Sequence, residues 1–261
     1  MKIAISGKGG VGKTTLSACL ARHYADLGLK VIAVDADPDA NLAAGLGLDW
    51  EEALKIKPLS DMKEMVEERT GAKKGTYGGF FKLNPKVDDI PQRFGKDLDG
   101  IRLLVAGTIK AGGSGCYCPE NVLLKRLFKH LVVDMDEVVI LDMEAGIEHL
   151  GRGTCENMDI LLVVIEPGLR SIQTANTVSK MSKDLGIEKV YLVLNKIHSD
   201  KELNDIRDKL KSFDILGHLP YSEKVRNSDL ENISPCKSDG LFRDAIEKIA
   251  KSIEKVTGKK E

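Results

Sequence analysis

Charge of one sign is what this sequence lacks most plainly, since 39 Lys plus Arg stand against 40 Asp plus Glu in 261 residues. With a formal net charge of −1 there is no global field to gather nucleic acid or to hold the chain on an anionic membrane, and neither is expected as a partner. Long apolar runs are missing too. No segment approaches the roughly 20 apolar residues that span a bilayer. Met1 leads straight into a strand-like segment, without the basic, apolar and small-residue series of a signal peptide. A cytoplasmic protein is expected. Cysteine is scarce and odd in number, five in all. In a reducing compartment that argues against a disulfide framework and makes Cys116 and Cys118 candidates for metal or redox chemistry. Internal repeats and low-complexity tracts are also absent, which excludes a solenoid.

What is present is the composition of a folded chain, 42% hydrophobic and 30% charged, with only residues 257–261 reading as frayed. Short runs rich in Val and Ile at residues 3–6, 31–35, 101–106, 138–142, 161–165 and 190–195 read as buried parallel strands. Their near-continuous hydrophobicity fits a sheet covered on both faces. Helical periodicity between them, at 13–27, 120–131, 172–185, 200–213 and 240–256, supplies the crossovers such a sheet needs. The stretch 49–99 is charged, contains glycine and is poor in strand-like runs, so a helical or irregular insertion is expected there. The fold class that follows is α/β: a doubly wound, mostly parallel sheet flanked by helices, as one domain over residues 1–261.

Gly7-Lys8-Gly9-Gly10-Val11-Gly12-Lys13-Thr14 has the form G-x-x-x-x-G-K-[ST] between a strand and a helix, the setting a phosphate-binding loop requires. Backbone N–H groups of Gly9, Gly10, Val11 and Gly12, continuing into Thr14 and Thr15, would wrap phosphate oxygens at the helix N-terminus. Lys13 would reach the terminal phosphates and Thr14 would hold magnesium. The expected cofactors are therefore ATP and magnesium. The apolar run Val138-Val139-Ile140-Leu141 ends in Asp142, placed to hold the magnesium water shell opposite Thr14. A second constellation is the glycine-rich loop Gly112-Gly113-Ser114-Gly115-Cys116-Tyr117-Cys118-Pro119. Two thiolates in a C-x-C pair bind a borderline metal but do not complete its shell. In a two-fold dimer the same loop from each subunit gives four sulfurs, enough for tetrahedral zinc(II) or square-planar nickel(II). Two incidental reduced cysteines are the bland alternative.

Lys8, a second lysine directly after the first glycine, makes the loop resemble the deviant Walker A ATPases, the group of MinD, ParA, the arsenite-pump ATPase and the nitrogenase iron protein. The likeness runs over nearly the whole chain. It implies a homodimer in which Lys8 reaches the partner's ATP and acts with Lys13 in catalysis, as an arginine finger does elsewhere. It implies that Asp37, in Asp35-Ala36-Asp37-Pro38-Asp39-Ala40-Asn41, helps position the attacking water and the magnesium shell. Asp39 and Asn41 read equally well as caps of the next helix. It implies that Gly146, in Met143-Glu144-Ala145-Gly146-Ile147-Glu148-His149, offers a backbone N–H to the γ-phosphate in a second switch. Asn195 and Lys196 correspond to a base-recognition pair. His198 stands where a guanine-reading aspartate is expected, which favours adenine. Pro220 and Tyr221 would line the base pocket, although a turn explains Pro220 as well.

The Gly-Cys-x-Cys-Pro loop together with Asp142-Met143-Glu144-Ala145-Gly146-Ile147-Glu148-His149-Leu150-Gly151-Arg152-Gly153 resembles the CooC-type maturation ATPases. That resemblance implies nickel insertion into carbon monoxide dehydrogenase, or into the related acetyl-CoA synthase. Two other readings stay open. A MinD- or ParA-like positioning ATPase predicts an amphipathic membrane-binding tail or a basic DNA face. The apolar positions of residues 241–260 suit docking on the sheet better. An iron–sulfur redox ATPase would need a cluster thiolate where His149 stands, with Cys155 six residues on reading as a buried structural thiol.

Overall fold

The structure, a computed structural model, describes residues 1–72, 81–107, 118–144, 152–228, 230–231 and 233–259. Among them the chain runs β1 (Lys2–Gly7), α1 (Lys13–Asp26), β2 (Val31–Ala36), the short helices α2 (Leu42–Gly45) and α3 (Trp50–Ala53), a 3-10 turn (Leu59–Asp61), α4 (Lys63–Thr70) and α5 (Ile90–Phe94). It continues through β3 (Lys96–Leu98), β4 (Ile101–Val105), α6 (Pro119–Val133), β5 (Val138–Met143), α7 (Arg152–Cys155), β6 (Ile160–Ile165) and α8 (Leu169–Asp184). The last elements are β7 (Val190–Ile197), α9 (Asp200–Lys209), β8 (Ile215–Pro220), α10 (Glu223–Asn227), α11 (Pro235–Ser238) and α12 (Gly240–Thr257).

The strands form one eight-stranded sheet in the order β3-β4-β2-β5-β1-β6-β7-β8, parallel except for β3. The hydrophobic runs owe their continuity to a sheet with two buried faces. In β6, Ile160, Leu162 and Val164 point into the core built on α1 and α12, while Leu161, Val163 and Ile165 point into the core built on α6, α8 and α9. Ile3 and Ile5 of β1 share the first face and Ala4 the second. The mostly parallel, doubly wound arrangement expected from the sequence is thus present.

Two strands escaped the sequence pattern. β3 is three residues long, two of them charged, and it pairs antiparallel with β4 at the sheet edge, where Asp97 meets Arg102 at 3.2 Å. A short charged edge strand discourages further pairing, and the same features hide it from a hydrophobicity scan. β8 carries Gly217 and His218 in its middle, which dilute its apolar signal.

Helix ends follow local chemistry. Ser199 caps α9 by accepting the Glu202 N–H, and the Glu202 carboxylate accepts the His198 N–H at 2.7 Å, a reciprocal pair of the capping-box kind. That helix stops at Lys209, short of residue 213. Asp239 caps α12, accepting from Leu241 at 2.9 Å. Phe242, Ile246, Ile249, Ala250 and Ile253, at helical spacing, then bury against the sheet. The chain end is tied down further than composition suggests, because Thr257 is still helical and Lys259 pairs with Asp159 at 2.9 Å. Among the described residues no helix is long and apolar enough to cross a membrane.

The sheet order reverses around β1, with β5 on one side and β6 on the other. In open α/β sheets a crevice forms beyond the carboxyl ends of strands at such a point. The glycine loop after β1 sits there.

Candidate functional site

Gly7 ends β1 with φ 153°, and a Cβ on it would run into the Val164 carbonyl of the neighbouring strand. Gly12 has φ 95° and lies so close to the Asn195 side-chain amide that any Cβ would collide with it. Between them the loop turns back on itself and delivers the chain to α1, whose N-cap Gly12 has no side chain to satisfy the first-turn N–H groups and whose first turn carries no acid. Those donors, and the positive end of the helix dipole, are left for an anion.

Three side chains hold the loop in shape. The Asn195 amide donates to the Val11 carbonyl at 2.8 Å, and its oxygen accepts the Lys196 N–H at 2.8 Å. Lys196 adopts φ 58°, and its ammonium reaches the Gly10 carbonyl at 2.8 Å and the Glu166 carboxylate at 3.0 Å. Glu166 was missed by sequence reasoning. Its signal was an acid one residue past β6, which the β6–β7 register brings beside the end of β7.

Lys13 is 5% exposed, yet its ammonium makes only long contacts, 3.5 Å to the Lys8 carbonyl and 3.5 Å to Asp37. A buried cation so loosely held is poised for a stronger acceptor. Asp142 is the counterpart, fully buried at the end of β5, with no hydrogen-bond partner for either carboxylate oxygen among the described residues. Ser17 lies near it but donates its hydroxyl proton to the Lys13 carbonyl at 2.9 Å. Burial raises the Asp142 carboxyl to about 6, against the opposing influence of the nearby Thr14 hydroxyl and Lys13 ammonium. An orphaned carboxylate beside a threonine hydroxyl is the donor set of a hard divalent cation, and Thr14 and Asp142 fit magnesium on that ground.

Asp35, also buried, behaves differently. Its carboxylate accepts the Leu42 N–H at 2.8 Å and the Asp37 N–H at 3.2 Å. Burial, with Asp142 nearby, pushes it up to about 7. Asp35 thus supplies the first-turn acceptor of α2, while Asn41 occupies the cap position without a side-chain bond to the helix. Asp37 in turn accepts the Asp39 N–H at 3.0 Å and keeps its other oxygen toward Lys13.

Gly9, Gly10, Gly12, Lys13, Thr14, Thr15, Asp37, Asn195, Lys196, Pro220 and Tyr221 all line one cavity of about 640 Å³, with Glu144, Ser222 and Arg226 among its other walls. Tyr221 stacks on His198 with ring centroids 4.4 Å apart, and Arg226 donates to its hydroxyl at 3.4 Å. His198 therefore backs the tyrosine. Lys8 is exposed, and its ammonium has no partner among the described residues. Gly146, His149 and Cys116 lie outside the described residues. Cys118, at the N-cap of α6, is partly exposed in extended backbone. Among the described residues no group of three or more His, Cys, Asp or Glu is gathered to hold a metal ion. Cys155 is buried, and burial raises its thiol to about 11.

The sheet, the glycine loop and the lysine beneath it define a P-loop nucleotide-binding protein. The chain belongs to the CobQ/CobB/MinD/ParA nucleotide-binding domain family, whose model matches residues 2–235. It is 49% identical over 251 residues to an uncharacterized ATP-binding protein of Methanocaldococcus jannaschii, covering 95% of this chain and 96% of that protein. It is 47% identical over 234 residues to the carbon monoxide dehydrogenase accessory protein CooC of Rhodospirillum rubrum, covering 90% and 89%. Among solved structures its fold is similar to the septum site-determining protein MinD complexed with Mg-ADP from Pyrococcus horikoshii, with TM-score 0.67 and 21% identity over 98% of this chain and 97% of that one.

Proposed function

We propose that the chain is an ATP-hydrolysing, homodimeric metallochaperone of the cytoplasm that inserts nickel into the active-site cluster of carbon monoxide dehydrogenase or of the related acetyl-CoA synthase. The observation that carries this reading is the 47% identity to an accessory protein of carbon monoxide dehydrogenase over nine-tenths of both chains. A C-x-C pair in a glycine-rich loop gives the chain thiolates of the kind a nickel cargo needs.

The hydrolytic step, ATP and water to ADP and phosphate, is assigned to the cavity at the end of β1. Backbone N–H groups from Gly9 to Thr15 grip the phosphates, and Asn195, Lys196, Pro220 and Tyr221 take the nucleoside. Lys13, nearly buried and loosely partnered, neutralises the terminal phosphates. Asp37 aligns the attacking water, and the exposed Lys8 crosses to the partner's site. Magnesium, held through Thr14 and Asp142 with Asp37 on its water shell, would supply charge neutralisation at the β- and γ-phosphates. Gly146 senses the γ-phosphate, and closure of the dimer brings Cys116 and Cys118 of one subunit to those of the other.

A positioning ATPase, the rival reading, needs a free amphipathic tail or a basic face. The apolar side chains of α12 from Phe242 to Ile253 are buried against the sheet, and the sequence as a whole carries no positive excess.

Metal analysis of the anaerobic protein decides the matter. One nickel or zinc per dimer is expected, with affinity falling in acid as the thiolates protonate. Replacing Cys116 and Cys118 together by serine should remove that metal and spare ATP hydrolysis. A stoichiometry of one metal per monomer, or full retention of metal in the double variant, refutes a site shared across the dimer.

A further inference from the structure

A second cavity, about 700 Å³, lies among α1, α11 and α12 and shares no lining residue with the nucleotide cavity. Two cysteines meet in its wall. Cys19 comes from α1, the helix that begins at Lys13, and Cys236 comes from α11; they are 2% and 9% exposed. The start of α11 joins this wall to the nucleotide site. Pro235 lines the nucleotide cavity while its neighbour Cys236 lines the second one. Ser234, one residue earlier, donates its hydroxyl to the Gly45 carbonyl at 3.0 Å, and Gly45 is itself part of the nucleotide cavity.

The two thiols are not equivalent. The neighbouring Cys19 side chain holds the Cys236 thiol below its ordinary value. Burial, with Cys236 beside it, pushes the Cys19 thiol well above it. An attacking sulfur and a resolving sulfur are thus already distinguished.

We propose that Cys19 and Cys236 form a redox-active dithiol, a modification site for small-molecule disulfides, whose oxidation ties α11 to α1 and slows nucleotide release from the adjoining cavity. The Cys236 thiolate attacks one sulfur of the small disulfide. The disulfide bond breaks, one small thiolate leaves and takes up a proton, and a mixed disulfide remains on Cys236. Cys19 then gives up its proton and attacks the Cys236 sulfur, expelling the second small thiol. Two protein thiols are oxidised, and one small disulfide is reduced to two thiols.

The coupling to nucleotide rests on position. α11 is four residues long and packs on both α1 and α12. A covalent link at Cys236 therefore restrains Pro235, a wall of the pocket through which nucleotide passes.

Glutathione disulfide is the probe. The full-length protein is incubated with it anaerobically, alkylated, digested with trypsin and mapped by mass spectrometry. The expected product joins peptide 14–22 to peptide 227–237 and is lighter than their sum by two hydrogens. Release of a fluorescent ADP analogue should slow several-fold in the oxidised wild type, recover on reduction, and stay unchanged in oxidised Cys19→Ser. Cys236→Ala serves as the second variant if Cys19→Ser folds poorly. Oxidation confined to peptide 111–125, which carries Cys116 and Cys118, overturns the site. Equal slowing in Cys19→Ser overturns the coupling.

Discussion

The two ends of β1 are built on opposite rules. At the amino end, Asp159 accepts the Lys2 N–H at 2.8 Å and the Lys259 ammonium at 2.9 Å, while the Lys2 ammonium donates to the Met135 and Glu137 carbonyls at 2.6 and 3.0 Å. At the carboxyl end, the Asp142 carboxylate has no hydrogen-bond partner among the described residues and the polar contacts of the Lys13 ammonium are no shorter than 3.5 Å. Buried polar groups that are satisfied hold a fold together, and those left open cost stability until something binds them. The same strand therefore ends once among satisfied polar groups and once beside charged groups left open.

The largest effect should come from Lys13→Ala. Removing the only buried cation of the cavity among the described residues costs the terminal phosphates a charge-assisted bond, and a loss of about 3 kcal/mol is roughly 100-fold in affinity. Thermal stability without nucleotide should hardly change, because so little in the protein depends on that ammonium. Titration with a fluorescent ATP analogue, beside a melting curve, tests both halves. Affinity retained to within a few-fold would mean that the carboxyl end is not the phosphate site.

The next effect is on pH. Burial raises Asp142 to about 6 and Asp35 to about 7 in the folded protein, above the unfolded carboxylate range near 4. The folded state binds these protons more tightly, so their contribution to stability is greatest below the unfolded value and is lost as pH rises through the folded one. The two carboxyls interact and titrate as a pair. Urea unfolding of the nucleotide-free protein should show stability falling on the order of 2 kcal/mol between about pH 5 and pH 8. Asp142→Asn should flatten the curve, and saturating magnesium nucleotide should do the same in the wild type. A nucleotide-free stability that rises over that window would contradict the raised carboxyls.

How much of this was legible in the sequence follows the same division. The strands β1, β2, β4, β5, β6 and β7 announced themselves because burial on both faces leaves few polar positions to interrupt them. β3 and β8 did not, one being short and charged, the other diluted by glycine and histidine. The glycine loop and Lys13 were legible because the spacing is itself the geometry. The acid at the end of β5 could be found by the same logic, but its orphaned state could not, since that depends on Ser17 turning its hydroxyl toward the Lys13 carbonyl. Asp35 reads as one of three acids in a short run, and only the fold selects it as the acceptor for Leu42. Glu166 stands 30 residues before Lys196, and their pairing exists only because β6 and β7 are neighbours. Short-range spacing is readable where the motif makes its own geometry, and lost where the sheet makes it.

The smallest effect, and the sharpest control, lies at the amino end. Asp159→Ala removes the acceptor of the Lys2 N–H, in a residue that is 5% exposed, and also breaks the pair with Lys259, which is half exposed. The ion pair contributes little in water, whereas an unpaired and mostly buried N–H costs more, so a loss of about 1 kcal/mol is expected. Asp159→Asn should recover most of that loss, because its amide oxygen still accepts the Lys2 N–H. Neither variant should alter affinity for nucleotide, since the two ends of β1 are separated by the full length of the strand. Urea titration and nucleotide binding measured on the same two variants test the argument. A fall in nucleotide affinity to match the fall in stability would show that the satisfied end also supports the open one.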